Sequence, residues 1–304
     1  MAGLNTKTDR SKTMRIPLAR PGLSGDEARN LQACVDTNYV SSIGPFVTEF
    51  ETLIAGAAEA GSCVATASGT AGLHLALIGC GVERDDLVIL PSYTFIASAN
   101  AVSHAGAVPW LFDIDAESWT LDARLVADTL AAETERRGPD LVHKASGRKV
   151  AAVMPVYTLG VPADMDAIAA IAAEYRLPVI ADAAAAHGAR YKGRPLGKLG
   201  ADLSVFSFNG NKTVTAGGGG GIFGDDAALV GRVRHICSTA RISDEYDHDA
   251  VGYNYRMTNV AAAVGCAQMK RLDDLVAAKQ RIRKTYDDAL AGLAGLSAFP
   301  SPDW

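Results

Sequence analysis

The chain has 304 residues, 48% of them apolar and 21% charged, with a formal net charge of −5. That is the balance of a soluble globular protein with one large domain or two smaller ones, and the acidic charge argues against a nucleic-acid partner, which selects a basic face. Residues 1–15 lack the apolar core of a secretion signal, and no run reaches the ~18 apolar residues of a membrane span, so a cytoplasmic protein with no membrane partner is expected.

Residues 1–22 read as a loose arm. Gly25-Asp26-Glu27 opens a helical pattern to about residue 38, and a second covers 45–60, with Phe46, Phe50, Leu53 and Ile54 at helical spacing. Strand-like runs then appear at 63–67, 87–90, 108–113, 150–156, 178–182 and 203–206. Helix-like runs lie between them at 70–78, 97–104, 123–135 and 165–175. The charged stretch 133–149 reads as a solvated loop. From residue 226 the pattern is mainly helical, with one long amphipathic stretch over about 258–293. Short apolar strands alternating with helices predict an α/β fold, a mostly parallel central sheet flanked by helices on both faces. Ligands in such folds bind at the carboxyl ends of the strands. Cys34, Cys63, Cys80, Cys237 and Cys266 show no CxxC spacing and read as reduced core thiols, with no metal site.

Several stretches at predicted strand ends could carry chemistry. Ser68-Gly69-Thr70 joins a strand to a helix; its amides, glycine and hydroxyl suit a phosphate cradle, and equally an ordinary helix cap. Phe95, after the strand at 87–90, could stack on a flat ring or fill the core. Asp182 closes an apolar strand, where a carboxylate is costly without a partner; it could cap the next segment or meet a protonated ring nitrogen. Lys212 lies in Ser207-Phe208-Asn209-Gly210-Asn211-Lys212, ahead of five glycines at 217–221. A lysine amine with a free pKa of about 10.4 needs desolvation or a nearby positive charge to act as a nucleophile at neutral pH. The glycine run is no P-loop, and its expected use is to turn tightly and pass close to other groups. Gly252-Tyr253-Asn254-Tyr255-Arg256-Met257-Thr258 reads either as a docking surface or as a helix start capped by Thr258. A lysine and an aspartate at two strand ends are what a pyridoxal phosphate site needs. The lysine forms a Schiff base with the cofactor aldehyde, and the aspartate keeps the ring nitrogen protonated so that the ring is an electron sink.

Taken together and in order, these stretches resemble the DegT/DnrJ/EryC1/StrS family of sugar aminotransferases, over about residues 16–283. The resemblance implies the large domain of pyridoxal phosphate-dependent transferases of fold type I, with pyridoxal 5'-phosphate as cofactor. By position, Lys212 would bind the cofactor covalently, Asp182 its ring nitrogen, and Phe95 its ring face. Ser68, Gly69, Thr70 and Ser207 would hold the phosphate, and Asn254 would reach the phosphate of the neighbouring subunit in a homodimer with shared sites. The wording around Lys212 is most similar to the branch that aminates nucleotide-linked 4-keto sugars, usually with glutamate as donor, for polysaccharide or glycan synthesis.

Two departures stand out. Ala185 occupies a position where the family commonly has glutamine, glutamate or histidine near the cofactor, so that contact is absent or supplied by water or His187. The chain also ends at Trp304, where the family usually continues into a small domain. The expected organisation is therefore an arm at 1–22, a cofactor-binding domain at 23–257, and the helical start of a truncated C-terminal domain at 258–304. These departures raise the alternative of a cofactor-binding relic with impaired or regulatory function. A second alternative, a sugar dehydratase of the same superfamily, would have histidine in place of Lys212. A nicotinamide-binding fold would need GxGxxG where Ser68-Gly69-Thr70-Ala71-Gly72 stands.

Overall fold

The computed structural model describes residues 16–304. Most of the expected arm, and the residues read for a secretion signal, lie outside that range. Two helices open the fold, α1 (Asp26–Asp36) and α2 (Pro45–Ala58), followed by β1 (Ser62–Thr66) and α3 (Gly69–Gly79). Next come β2 (Leu87–Pro91), α4 (Ile96–His104), β3 (Val108–Phe112), α5 (Ala123–Glu133) and the hairpin of β4 (Thr134–Arg137) and β5 (Asp140–His143). After β6 (Val150–Val153), α6 (Met165–Tyr175) and β7 (Ile180–Asp182) there is a two-residue hairpin, β8 (Arg190–Tyr191) with β9 (Arg194–Pro195). The chain continues through β10 (Leu203–Ser207), β11 (Gly220–Gly224), α7 (Ala227–Cys237), α8 (Asn259–Met269) and α9 (Leu272–Leu290).

The strands pair in the orders β1-β11-β10-β7 and β3-β2-β6. Bridges from Val153 to Val179 and from Val156 to Asp182 set β6 beside β7, so the two groups form one layer. All run parallel except β11, which is antiparallel to both β1 and β10. Successive strand residues face opposite sides, as the pleat demands. In β1, Cys63 and Ala65 join the core under α2, α6 and α8, whereas Val64 joins the core under α3, α4 and α7. Both faces are therefore dry, and the carboxyl ends of β1, β2, β7 and β10 form one edge where loops can carry function.

Two expectations are corrected and one is extended. Residues 134–143 form a hairpin and not a solvated loop: Thr134, Leu141 and Val142 are buried while the charged neighbours stay outside. The glycine run does turn, with φ of 79° at Gly217 and 116° at Gly219, but it then enters β11. A Cβ on Gly220 would lie 2.6 Å from the Ser68 carbonyl oxygen, so only glycine lets this strand slip between β1 and β10. Finally, the stretch 258–293 is two helices. Residues on every side of α8 are buried, and a Cβ on Gly265 would lie 2.5 Å from the Phe50 ring, so glycine is what allows this close packing, while α9 has no buried residue.

Candidate active site

Lys212 is presented by a loop whose base is closed by Phe208 N–H to Gly219 O (2.9 Å) and Ala216 N–H to Phe208 O (2.9 Å). Phe208 is fully buried and meets Phe50 edge-on at 4.7 Å, which pins the loop to the core. A turn from Lys212 N–H to Asn209 O (3.0 Å) then directs the lysine back over the sheet edge. Asp182 ends β7, and its register partner Val205 lies two residues before Ser207. Both Lys212 and Asp182 line a cavity of about 290 Å³ together with Tyr93, Thr94, Phe95 and Ala185.

The charges there are constrained. Asp182 is only 5% exposed. Burial raises its pKa, while the Ser98 hydroxyl (2.6 Å to Oδ2), the Ala184 N–H (3.1 Å to Oδ1) and the Lys212 charge oppose that shift. Burial lowers the pKa of the Lys212 amine, opposed by Asp182. Desolvation thus moves both toward their neutral forms, and for lysine the neutral form is the nucleophile.

The phosphate-cradle residues sit next along the same edge. Ser68 caps α3, its Oγ accepting from Ala71 N–H at 3.0 Å, so the cap reading holds as geometry. That cap leaves the amides of the helix's first residues facing outward. A Cβ on Gly69 would come 2.9 Å from Ser207 Cβ, so Ser68, Gly69, Thr70 and Ser207 form one patch. Phe95 is 78% exposed at the cavity wall, which excludes the core reading. Thr258 caps α8 through its contact with Ala261 N–H. Asn254 is exposed and lies elsewhere, in a polar concavity with Arg241, Arg256 and Ser42.

His187 does not line the lysine cavity; it stacks on Phe206 (4.7 Å) and Phe208 (5.1 Å) beside a neighbouring cavity. Burial, with help from the Lys212 charge, pushes its pKa down to about 3, so it is a neutral packing group. Sequence reading missed Ser98, Tyr157 and Thr158. Ser98 lies 84 residues from Asp182, and no local pattern could have paired them. Tyr157 and Thr158 line the cavity, and their hydroxyls are buried without a hydrogen-bonding partner.

The model of the DegT/DnrJ/EryC1/StrS aminotransferase family matches residues 22–304. The chain belongs to this family. Among relatives, the GDP-perosamine synthase of Caulobacter vibrioides is 40% identical over 94% of this chain and 73% of its own length. That of Escherichia coli O157:H7 is 36% identical, over 89% and 70%. The structure of 3-amino-5-hydroxybenzoic acid synthase aligns with a TM-score of 0.82 at 32% identity, over 92% of this chain and 70% of that one. DesI, solved with its TDP-sugar product, aligns at 0.80 and 32%, over 92% and 66%. The member described here is accordingly an α/β aminotransferase of the fold type I class that depends on pyridoxal phosphate. Its cavity fits that cofactor on its own terms. A buried carboxylate and a desolvated amine share one wall, and the orphaned Tyr157 and Thr158 hydroxyls would each cost about 1–3 kcal/mol if nothing polar entered. Among the described residues, no helix is long and apolar enough to cross a membrane.

Proposed function

We propose that this aminotransferase delivers an amino group from glutamate to a nucleotide-linked keto sugar, a 4-keto sugar by its resemblance, in the cytoplasm. The observation that carries the reading is the pairing of Lys212 and Asp182 on one cavity wall at the carboxyl edge of the sheet. The perosamine synthases and DesI support the sugar class. Five free cysteines accord with a reducing compartment.

When bound, pyridoxal phosphate supplies an electron sink for bond breaking next to nitrogen. Lys212 would hold the cofactor covalently, and its amine when free would hold and move a proton at Nζ. Asp182 would accept the ring N–H, and Phe95 would cover the ring face. Ser68, Gly69, Thr70 and Ser207 would hold the phosphate at the start of α3, where backbone amides and the helix dipole favour an anion. In a homodimer, Asn254 serves the site of the neighbouring subunit, which accounts for its distance from its own lysine cavity.

Ala185 on the cavity wall favours one rival, a cofactor-binding relic that does not turn over. A single-turnover experiment separates the two. The cofactor-loaded chain is reduced to its amino form with glutamate, then given a GDP- or TDP-linked 4-keto sugar. Formation of the amino sugar supports the transferase; a loaded protein that accepts glutamate nitrogen but delivers none to any such sugar rejects this substrate class.

A further inference from the structure

We propose that Ser98, backed by Thr94, is the positioning residue that holds Asp182 as the oriented anion required by a protonated ring nitrogen. This rests on the cofactor reading above. Ser98 is fully buried in the first turn of α4, where its own N–H bonds to the Phe95 carbonyl at 3.2 Å. Its Oγ lies 2.6 Å from Asp182 Oδ2, 2.7 Å from Thr94 Oγ1 and 3.4 Å from the Phe95 carbonyl oxygen.

A count of hydrogens gives the directions open to this chain. Each hydroxyl has one hydrogen to donate, and an ionised carboxylate has none. With Asp182 ionised, Ser98 donates to Oδ2 and accepts from Thr94, so both short contacts are satisfied. With Asp182 neutral and donating to Ser98, the Ser98 hydrogen must go either to Thr94, which then turns to its 3.2 Å contact with the Phe95 carbonyl, or to that carbonyl directly at 3.4 Å. The first of these keeps both short contacts as well, so what favours the anion is the 2.6 Å spacing to Oδ2, within the range of about 2.5–2.7 Å for a hydroxyl donating to a carboxylate, together with a second donor at Oδ1. The Ala184 N–H on Oδ1 holds the second oxygen and fixes the carboxylate plane. The N-terminal end of α4 adds a partial positive charge beside it. Thr94 and Asp182 both line the lysine cavity, which leaves the remaining carboxylate lone pairs available to a ring entering it. Charge-assisted bonds of this kind are about twice as strong as neutral ones. No water can readily replace a donor that is fully enclosed.

The test compares two cofactors that differ only at the atom Asp182 would meet. Dissociation constants are measured by equilibrium dialysis for pyridoxal phosphate and for its 1-deaza analogue, in which the ring nitrogen is a CH group. The wild-type chain should prefer the natural cofactor. Ser98→Ala should lose about tenfold or more of that preference, about 1.4 kcal/mol, with affinity for the deaza analogue unchanged. Thr94→Val should lose a smaller part. A merely structural role for Ser98 would weaken both ligands equally, and an unchanged preference in Ser98→Ala would overturn the proposal. Should Ser98→Ala fail to fold, Thr94→Val, whose half-buried side chain can be replaced without opening the core, decides it: an unaltered ratio overturns the chain of donors. If the wild type binds neither compound, the cofactor reading itself fails first.

Discussion

At Lys212 and Asp182, burial works against charge on both partners, and the unliganded protein holds them in that state at a cost in stability. The sign can be followed through Asp182. Its folded pKa is raised, so the stability that it contributes is present below the ordinary carboxylate pKa of about 3.9 and is lost as pH rises through the raised value. Asp182→Asn removes that loss. Thermal melts of the cofactor-free proteins across a pH series should show the variant gaining on wild type as pH rises from about 4, then levelling off. A gain that shrinks with rising pH would contradict the assigned shift. The same variant should bind pyridoxal phosphate more weakly, because an amide is a poor partner for a protonated ring nitrogen. Asp182 was legible from sequence because it closes an apolar strand, and Lys212 because it follows one among small and polar residues ahead of a glycine run. Ser98 was not, since a serine in an α4-like pattern gives no hint of a carboxylate from another strand. Phe95 and His187 were ambiguous for a related reason: an aromatic side chain reads alike whether it faces solvent at a cavity or fills a core, and only three-dimensional packing separates the exposed Phe95 from the enclosed His187.

Helices α1, α2 and α8 depend on a single amide. Asn259 is fully buried. Its Oδ1 accepts from Phe46 N–H (2.9 Å) and Val47 N–H (3.3 Å) at the start of α2, and its Nδ2 donates to Tyr39 O (2.8 Å). A Cβ at Gly44 would come 2.3 Å from the Asn259 side chain, so the loop is fitted closely round this amide. Asn259→Ala strands a buried donor, a part-buried donor and a part-buried acceptor. Chemical denaturation should report a loss of at least about 2 kcal/mol, at 1–3 kcal/mol for each unpaired group. A loss below about 0.5 kcal/mol would mean that water or another side chain replaces it. Element by element, the alternation of β1, α3, β2 and α4 could be read because the apolar runs are short and bounded. The strand β11 could not, since glycine carries no β preference and its place is set by close approach to Ser68. The hairpin at 134–143 was masked by charge, because two buried apolar residues among seven exposed or half-buried neighbours give little periodic signal.

For the whole molecule, the role proposed for Asn254 in a neighbouring subunit's site predicts a homodimer. Sedimentation should give twice 31.7 kDa. Subunit mixing tests the sharing directly. Lys212→Ala should be inactive and Asn254→Ala should bind the cofactor weakly, but a mixed dimer would join the lysine of one chain to the asparagine of the other. Activity should rise above that of either parent on mixing. Activity that stays at the average of the parents would show that each chain builds its site alone. The account as a whole rests on covalent attachment at one position, and peptide mass mapping tests it most directly. The protein is loaded with pyridoxal phosphate, reduced with borohydride and digested. The account predicts a phosphopyridoxyl label on the peptide containing Lys212 and none in Lys212→Ala. A label distributed over exposed lysines, or equal labelling of the variant, would contradict it.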